Sequence, residues 1–457
     1  MINNEVIHKE KNSYLKITIF LILNILLQIV LAEATQSLSI IVGTNLLFLS
    51  WLFYKQYIND IVTLLLFLTF LPFAFIDKSF SRHYSYIIIQ NIPLAILLLL
   101  TIFYFFNKEK SFQIRISYVL LPVVVYVFYS LFLTIYGMVN HADPGVIFIE
   151  LYQNLYFLFA IVIAYLLVDR KQYSFLFITL IFVFSIIAVE YIVSNMTSPF
   201  RFTTYHNHFF PFILAFLFSA LLFKKWEFYQ KIVLIGLVCI LFAGSIATGT
   251  RTLLVTNIVA ILIVLSFYFK YKRIKFPIIK IILILIVFLV LLFSFKGQGS
   301  RQQLTKQSTE ERVESISNPT GDISFLMRVE AVYLGVQKII ENPILGKGFG
   351  YQLQMRWLLD TKYIFPDNNY IYYWLKGGII FLIIAMWMYF RLFRQSYKIF
   401  KRTNSIEVKY YMVAIIAGMF ALMIVALMNA NLVKFKLNII YAFMLAYVDF
   451  ESKSLKS

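Results

Sequence analysis

Apolar runs of about 20 residues recur along almost the whole chain, and a single long polar stretch at residues 296–369 interrupts them. As an α-helix, each run is long enough to cross a hydrocarbon layer of about 30 Å. Hydrophobic residues make up 61% of the 457, far more than a soluble core of this size buries. The alternating pattern of a membrane barrel strand is absent from the sequence. The sequence therefore predicts an all-α polytopic membrane protein.

We predict about fourteen transmembrane helices. They lie near residues 15–32, 38–54, 58–76, 86–106, 116–137, 147–168, 173–194, 208–223, 232–249, 252–269, 278–295, 371–390, 410–429 and 432–449. This divides the chain into three parts. They are an N-terminal bundle of about eleven spans at residues 1–295, a large loop at 296–370, and C-terminal helices with a tail at 371–457.

The lysines and arginines favour one orientation, because they fall mostly in alternate loops and cytoplasmic loops accumulate these residues. The clusters on one side are at residues 108–115, 170–171, 224–231, 270–280 and 391–402. Both termini are then cytoplasmic, and the long loop is extracytoplasmic. The formal net charge of +19 has the same explanation, so no nucleic-acid partner is predicted.

Arg201, Arg251, His206 and His208 fall on the opposite, outer side. Positive charge is unexpected there, so these residues are candidates for function. No histidine pair has the spacing of a known ligand pattern, and we predict no metal site.

The long loop contains one predicted helix, at residues 325–340. Its apolar residues recur at helical spacing: Leu326, Val329, Tyr333, Val336 and Ile340. The residues expected to point elsewhere are Arg328, Glu330 and Lys338. We expect this amphipathic helix to pack on the outer membrane face or on the helix bundle, and to end before Pro343.

The segment NPILGKGFG follows at residues 342–350. Alternating glycines allow a close backbone approach to a phosphate, but no strand precedes them and no Gly-Lys-Ser/Thr follows. The alternative is a turn that folds the loop back onto the bundle.

These residues resemble the signature of the O-antigen ligase and polysaccharide polymerase family. The resemblance covers Arg328, the NPILGKGFG segment, Asp367 to Ile371, and the continuation through Lys376 to Ile380. Gly249 to Thr252 is similar to the family's arginine flanked by small residues. Where many ligase-type members have His-Asn, this chain has Asp367 and Asn368, which favours a polymerase over a ligase.

The resemblance implies a GT-C-like bundle in the cytoplasmic membrane of a bacterium. The implied activity is an inverting, metal-independent glycosyltransferase that needs no cofactor and acts in capsule or exopolysaccharide synthesis. Its donor is a glycan on undecaprenyl diphosphate, and its acceptor is another lipid-linked repeat unit. Further candidate partners are membrane lipid, a flippase and a chain-length regulator.

Such a reaction needs cations to hold the leaving diphosphate. The candidates are Arg251, Arg328, Arg201 and Lys376. Each also has a purely structural alternative. Arg251 could extend to the lipid headgroups, and Arg328 could form an ion pair on its helix face. Arg201 could simply lie in a loop, and Lys376 could line a polar cavity.

The reaction also needs a base for the acceptor hydroxyl. Asp367 is the first candidate, because it takes the position of the family's histidine. Glu150, Glu190 and His206 are the alternatives, together with His208. The strongest prediction of another class is a flippase for lipid-linked oligosaccharide, although the chain shows no internal repeat. A ligase that joins the glycan to a different acceptor is the alternative within the family.

Overall fold

A computed structural model describes residues 117–167, 169–197, 209–248, 251–272, 323–355, 361–363, 366, 368–427 and 435–455. The predicted spans at 15–32, 38–54, 58–76, 86–106 and 278–295 lie outside these residues, as does the polar segment at 296–322. The described residues form two compact units. The described part of one unit lies within Tyr165–Val183, and all the other described residues belong to the second.

The described secondary structure is almost entirely helical. In chain order the helices are α1 (Leu121–Val139), α2 (Pro144–Leu155), α3 (Phe159–Leu166), α4 (Arg170–Thr197), α5 (Phe210–Phe223), α6 (Phe228–Ala247), α7 (Arg251–Lys272), α8 (Ile323–Glu341), α9 (Asn369–Arg402), α10 (Ile406–Val425) and α11 (Phe435–Ser454). A single 3₁₀ turn at Tyr156–Leu158 joins α2 to α3.

Within the described ranges, seven helical segments are long and apolar enough to cross a membrane. They are α1, α2 together with α3, α4, α6, α7, α9 and α10, while α5 is a shorter apolar helix. The prediction of an all-α polytopic membrane protein is therefore confirmed in its class. The count of fourteen spans and the length of the loop stay predictions, because much of the chain lies outside the described residues.

The long loop also contains a small antiparallel hairpin, which was not predicted from the sequence. Strand β1 (Leu353–Met355) pairs with β2 (Thr361–Tyr363), and Leu353 lies opposite Tyr363. Leu353 is buried against Ile339 of α8 and Leu375 of α9. A three-residue strand gives too short a periodic pattern to be recognised in a sequence.

The core of the larger unit surrounds α10. This helix packs against α5, α7 and α9, and it buries apolar side chains on every side. Neighbouring α5 buries eleven of its fourteen residues. A helix that is apolar all round and has no polar face is typical of the centre of a membrane bundle.

Helices α9 and α10 are antiparallel, so their basic ends lie together. The Nζ atom of Lys409, in the first turn of α10, is 4.7 Å from the ring centroid of Tyr271 near the end of α7. At the other end, the backbone N–H of Asn369 in α9 donates to the carbonyl of Ala426 just after α10. One end of the unit therefore carries lysines, and the other carries the start of α9 and the chain that leads into it.

Candidate functional site

Helix α9 is broken one-quarter of the way along its length, at Gly377 and Gly378. Gly377 has φ −125° and ψ 15°, and Gly378 has φ 65° and ψ −171°, so neither is helical. A Cβ atom at Gly378 would lie 1.8 Å from the carbonyl oxygen of Ile344, and its positive φ is unfavourable for other residues. The break frees backbone carbonyls inside a buried part of a membrane helix, where they need other donors.

The segment at residues 342–350, which we call the glycine loop, supplies those donors. Its Lys347 N–H donates to the carbonyl of Leu375 at 2.8 Å, and its Gly348 N–H donates to the carbonyl of Lys376 at 2.8 Å. In return, the N–H of Ile379 donates to the carbonyl of Pro343 at 2.9 Å. The prediction of a turn that folds back on the bundle therefore agrees with the structure.

The same contacts argue against a phosphate cradle in the glycine loop. All five consecutive N–H groups from Gly346 to Gly350 donate to protein acceptors. The acceptors are the carbonyls of Asn342, Leu375, Lys376 and Leu133, and the carboxylate of Glu150. An anion would have to displace these bonds, so the glycines serve the close packing of backbone against backbone.

A fully buried ion pair lies beside the glycine loop. The Nζ atom of Lys376 in α9 is 2.7 Å from Oε1 of Glu150 in α2, and both side chains are 0% exposed. The other carboxylate oxygen, Oε2, accepts the N–H of Gly350 at 2.6 Å. Lys376 also donates to the carbonyl of Tyr351 at 2.5 Å. Two residues that the sequence analysis proposed for different roles are thus partners, and each also bonds to the chain at the end of the loop.

Polar and aromatic groups complete the surroundings of this pair. The Nζ atom of Lys376 lies 5.7 Å from the ring centroid of Tyr372. The Nδ2 group of Asn154 donates to the backbone carbonyl of Glu150 at 2.7 Å, and the Tyr126 hydroxyl donates to the Oδ1 atom of Asn154. A buried ion pair is maintained only where its remaining donors and acceptors are satisfied, and here the backbone N–H of Gly350 and the backbone carbonyl of Tyr351 satisfy them.

Helix α8 is fixed on the bundle by the face opposite its predicted apolar stripe. The bundle face carries Ala331, Gly335 and Ile339, and also Glu330, which is only 2% exposed. Glu330 therefore points away from the apolar stripe, as predicted, but it lies on the face that packs on the bundle. The predicted stripe is instead exposed, with Val329, Tyr333, Val336 and Ile340 between 39% and 72% accessible. Small residues at the packed positions let α8 approach α9 closely, which the apolar periodicity alone did not indicate.

The C-terminal end of α8 is held by charge. Glu341 pairs with Lys338 at 2.5 Å and with Lys347 of the glycine loop at 2.5 Å. Hydrogen bonds from these two ammonium groups, first from Lys338, lower the pKa of the Glu341 carboxyl. The candidate Arg328 lies one turn inside the start of α8 and is half-buried.

Asn368 sets the start of α9. Its Oδ1 atom accepts the N–H groups of Tyr370 and Ile371 at 2.9 and 3.1 Å, which makes it the helix N-cap. Its Nδ2 group donates to the carbonyl of Leu427 after α10 at 3.1 Å. Asn368 was quoted in the sequence only as part of a motif, and its structural role is to join α9 to α10.

The other candidates are only partly placed. Arg201, His206, His208 and Asp367 lie outside the described residues. Two more lie within helices whose side chains are not described at these positions, namely Arg251 as the first residue of α7 and Glu190 in α4. The structure thus brings Glu150 and Lys376 together and leaves the relation of the arginines to them untested. Among the residues that the structure describes, no group of three or more His, Cys, Asp or Glu side chains could hold a metal ion.

The sequence missed the partnership of Glu150 with Lys376 and the break at Gly377 and Gly378. Signals for both were present. A carboxylate and an ammonium group in two apolar runs are costly unless they pair, and two adjacent glycines weaken a helix. What the sequence did not supply was which of several buried charges pair with each other.

Comparison with known protein families gives one match to this chain. A family model described as O-antigen ligase, Wzy_C, matches residues 236–386, which is about a third of the chain. The matched range contains α8, the glycine loop, the hairpin and the first half of α9, including Lys376. No curated protein matches the chain. The match and the quoted motif together support the assignment of this chain to the O-antigen ligase and polysaccharide polymerase family.

Proposed function

We propose that this chain is a polysaccharide repeat-unit polymerase. A hydroxyl of a lipid-linked repeat unit attacks the anomeric carbon of a growing glycan on undecaprenyl diphosphate, from the face opposite the diphosphate. A new carbon–oxygen bond forms, the bond to the diphosphate breaks, and undecaprenyl diphosphate leaves with the electron pair. The proton of the acceptor hydroxyl passes to a protein base. The configuration at the anomeric carbon inverts, and no metal or cofactor takes part.

The observation that carries this proposal is a set of close contacts among α8, the glycine loop and the first turns of α9, which we call the frame. All three lie in the range that the family model matches. The glycine loop fills the break in α9, and the buried pair of Glu150 and Lys376 joins that frame to α2. The frame sets α8, which carries Arg328, against the first turns of α9. Asp367 immediately precedes the Asn368 cap. A transfer between two lipid-linked substrates needs such rigidity, because its catalytic groups must meet both reactants at fixed distances.

The charge distribution supports an extracytoplasmic position for this frame. The lysines at the ends of α7 and α9 mark one end of the unit, and α8 and the hairpin lie at the start of α9, at the other end. Cytoplasmic ends carry the excess of lysine and arginine. The lipid-linked repeat unit would then be met on the outer face of the membrane.

The exposed stripe of α8 supports contact with lipid at the same place. The Nδ2 group of Asn342, directly after α8, donates to the hydroxyl of Tyr136 in α1 at 3.2 Å. The surface of α1 near this contact exposes Ile135, Met138 and Val139. The apolar stripe of α8 therefore continues a lipid-facing surface, as expected for a helix in the membrane interface. A donor that is anchored in lipid reaches α8 without leaving the bilayer.

We assign roles on this basis. The arginines Arg251, Arg328 and Arg201 hold the leaving diphosphate, because a planar guanidinium matches phosphate oxygens. Asp367 stays the first candidate for the base, with Glu190 and His206 as alternatives. Glu150 has both carboxylate oxygens engaged and no exposed surface. We therefore propose a positioning role for Glu150 and Lys376, in place of proton transfer or diphosphate contact.

Glycan length in cells tests the proposed function. The gene is deleted and restored as wild type or as Arg251→Ala, with Lys225→Ala as a control that removes one charge at an exposed position. Surface polysaccharide and lipid-linked intermediates are compared at equal expression in the same membranes. We expect single repeat units on the outer face and no long chains in the deletion and in Arg251→Ala, and normal chains in the control.

Two other outcomes would contradict the proposal. Repeat units that accumulate on the inner face of the membrane would indicate a flippase. Long chains that remain on undecaprenyl diphosphate and are not transferred to their final acceptor would indicate a ligase.

A further inference from the structure

A second feature of the bundle lies at the basic end, away from the frame. Four lysines from three helices surround two tyrosine rings there: Lys270, Lys272, Lys401 and Lys409 around Tyr271 and Tyr397. We call this group the lysine–tyrosine cluster. Lys401 Nζ lies 4.6 Å from the Tyr397 ring centroid, and Lys409 Nζ lies 4.7 Å from the Tyr271 ring centroid. Lys270 and Lys272 lie 6.0 and 5.7 Å from the rings of Tyr397 and Tyr271.

The cluster differs from the described lysines that pair with carboxylates, and from Lys224, which lies alone over the ring of Trp226 at 4.3 Å. Lys338, Lys347, Lys376 and Lys453 each form a salt bridge with a carboxylate at 2.5–2.7 Å. The four lysines of the cluster contact aromatic faces, which attract a cation without neutralising it. They therefore keep their charge available to an external anion.

An aromatic ledge lies under these cations. The ring of Phe223 is 5.4 Å from that of Tyr271, and the ring of Phe267 is 6.2 Å from that of Tyr397. Phe267 is also 5.1 Å from Phe400, so the ledge is continuous between α7 and α9. Cations above an apolar ledge, at the end of a membrane bundle, match a molecule with a phosphate at one end and hydrocarbon at the other.

We propose that the lysine–tyrosine cluster binds the headgroup of an anionic phospholipid of the cytoplasmic leaflet. The phosphate contacts the ammonium groups of α7, α9 and the start of α10. The glycerol and first acyl carbons lie against the half-buried rings of Phe267, Tyr271 and Tyr397, because Phe223 and Phe400 are buried beneath them. The site is distinct from the glycosyl-transfer frame and does not depend on the proposed function. It joins the ends of three helices, so bound lipid also holds them together.

Lipid retention tests this site. The full chain is purified in micelles that contain equal amounts of phosphatidylglycerol and phosphatidylcholine, and the bound lipids are counted by native mass spectrometry. The test variant is Lys270→Gln/Lys401→Gln/Lys409→Gln. The matched control is Lys171→Gln/Lys225→Gln/Lys231→Gln, which removes the same charge from exposed lysines outside the cluster. Each lysine near an anionic lipid contributes roughly fivefold to affinity, so we expect at least a tenfold loss in the test variant and less than twofold in the control.

Several results would overturn the proposal. An equal loss in both variants would indicate a diffuse positive surface, and no loss in either would exclude the cluster. Displacement of the lipid by soluble glycerol phosphate at the same concentration would indicate a site for a free phosphate compound.

A measurement on the wild-type chain makes the test independent of how the variants fold. Phosphatidylglycerol with a photoreactive headgroup is expected to label peptides that contain residues 270–272 and 397–409 in preference to those that contain Lys171 or Lys231. Uniform labelling of these peptides would contradict a site.

Discussion

Removing one partner of the buried pair should destabilise the protein far more than removing both. Glu150 and Lys376 are each 0% exposed, and their charged atoms are 2.7 Å apart. Loss of one partner leaves a charge without compensation in a medium that cannot solvate it, which costs about 3–5 kcal/mol. We therefore expect Lys376→Met and Glu150→Gln each to lower the unfolding free energy by about that amount. The double variant should be destabilised by about 1 kcal/mol or less, because replacing a whole buried pair is often neutral.

The assay is a double-mutant cycle on the wild type, the two single variants and the double variant. Their unfolding by a denaturing detergent is measured in bilayer-like micelles, and glycan length is measured in cells for the same four proteins. The sum of the two single losses should exceed the loss in the double variant by at least about 5 kcal/mol, and this difference is the coupling energy. If the pair only positions the frame, the double variant should also recover polymerisation. Additive stability losses would refute the pairing argument. A stable double variant without any chain extension would refute the positioning role and return Glu150 to the catalytic candidates.

Three further perturbations follow from the frame. Gly378→Ala should abolish stable expression, because its Cβ atom would lie 1.8 Å from the Ile344 carbonyl oxygen. The control Gly236→Ala should give the size-exclusion profile of the wild type, because a Cβ atom there would meet no atom within 4 Å. Asn368→Ala should lower stability by about 1 kcal/mol through loss of the helix cap, and a thermal shift equal to that of wild type would contradict this. Because the folded-state pKa of Glu341 is lowered, its pairing stabilises the protein above the ordinary value of 4.5 and is lost as pH falls through the folded value. Glu341→Gln should therefore reduce the pH dependence of thermal stability below pH 4.5, and an unchanged acid profile would exclude the ion pair as its source.

The helical class followed from the sequence because each membrane span is a long, nearly continuous run of apolar residues. Predicted spans at 116–137 and 252–269 correspond to α1 at Leu121–Val139 and α7 at Arg251–Lys272. The end of α8 before Pro343 was also correct, since proline cannot continue a helix. These features depend on local chemistry alone.

The site was less predictable, because it depends on which distant groups meet. Periodicity identified the apolar stripe of α8 but left open whether it faces the membrane or the bundle, and Ala331 and Gly335 make the contact with the bundle. The stripe faces outward, where we propose that it contacts lipid. In a membrane protein, apolar periodicity therefore does not by itself distinguish a packed face from a lipid-facing one.

The pairing of Glu150 with Lys376 shows the same limit. Each residue was selected individually because a charge in an apolar run is costly. Their sequence separation of more than 200 residues gave no indication of contact, and the glycine loop that links them was read only as a turn. The break in α9 offers free carbonyls to the chain at residues 342–350, which enters the bundle there and reaches Glu150.

The most direct test of the account is chain extension by the purified protein. Lipid-linked repeat units extracted from the deletion strain are added to the wild-type chain in lipid nanodiscs, without nucleotide sugar or added metal, and the products are separated by size. We predict a ladder of longer glycans on undecaprenyl diphosphate, with one undecaprenyl diphosphate released for each bond formed, and no ladder with Arg251→Ala. Repeat units recovered unextended with well-folded wild-type protein would contradict it.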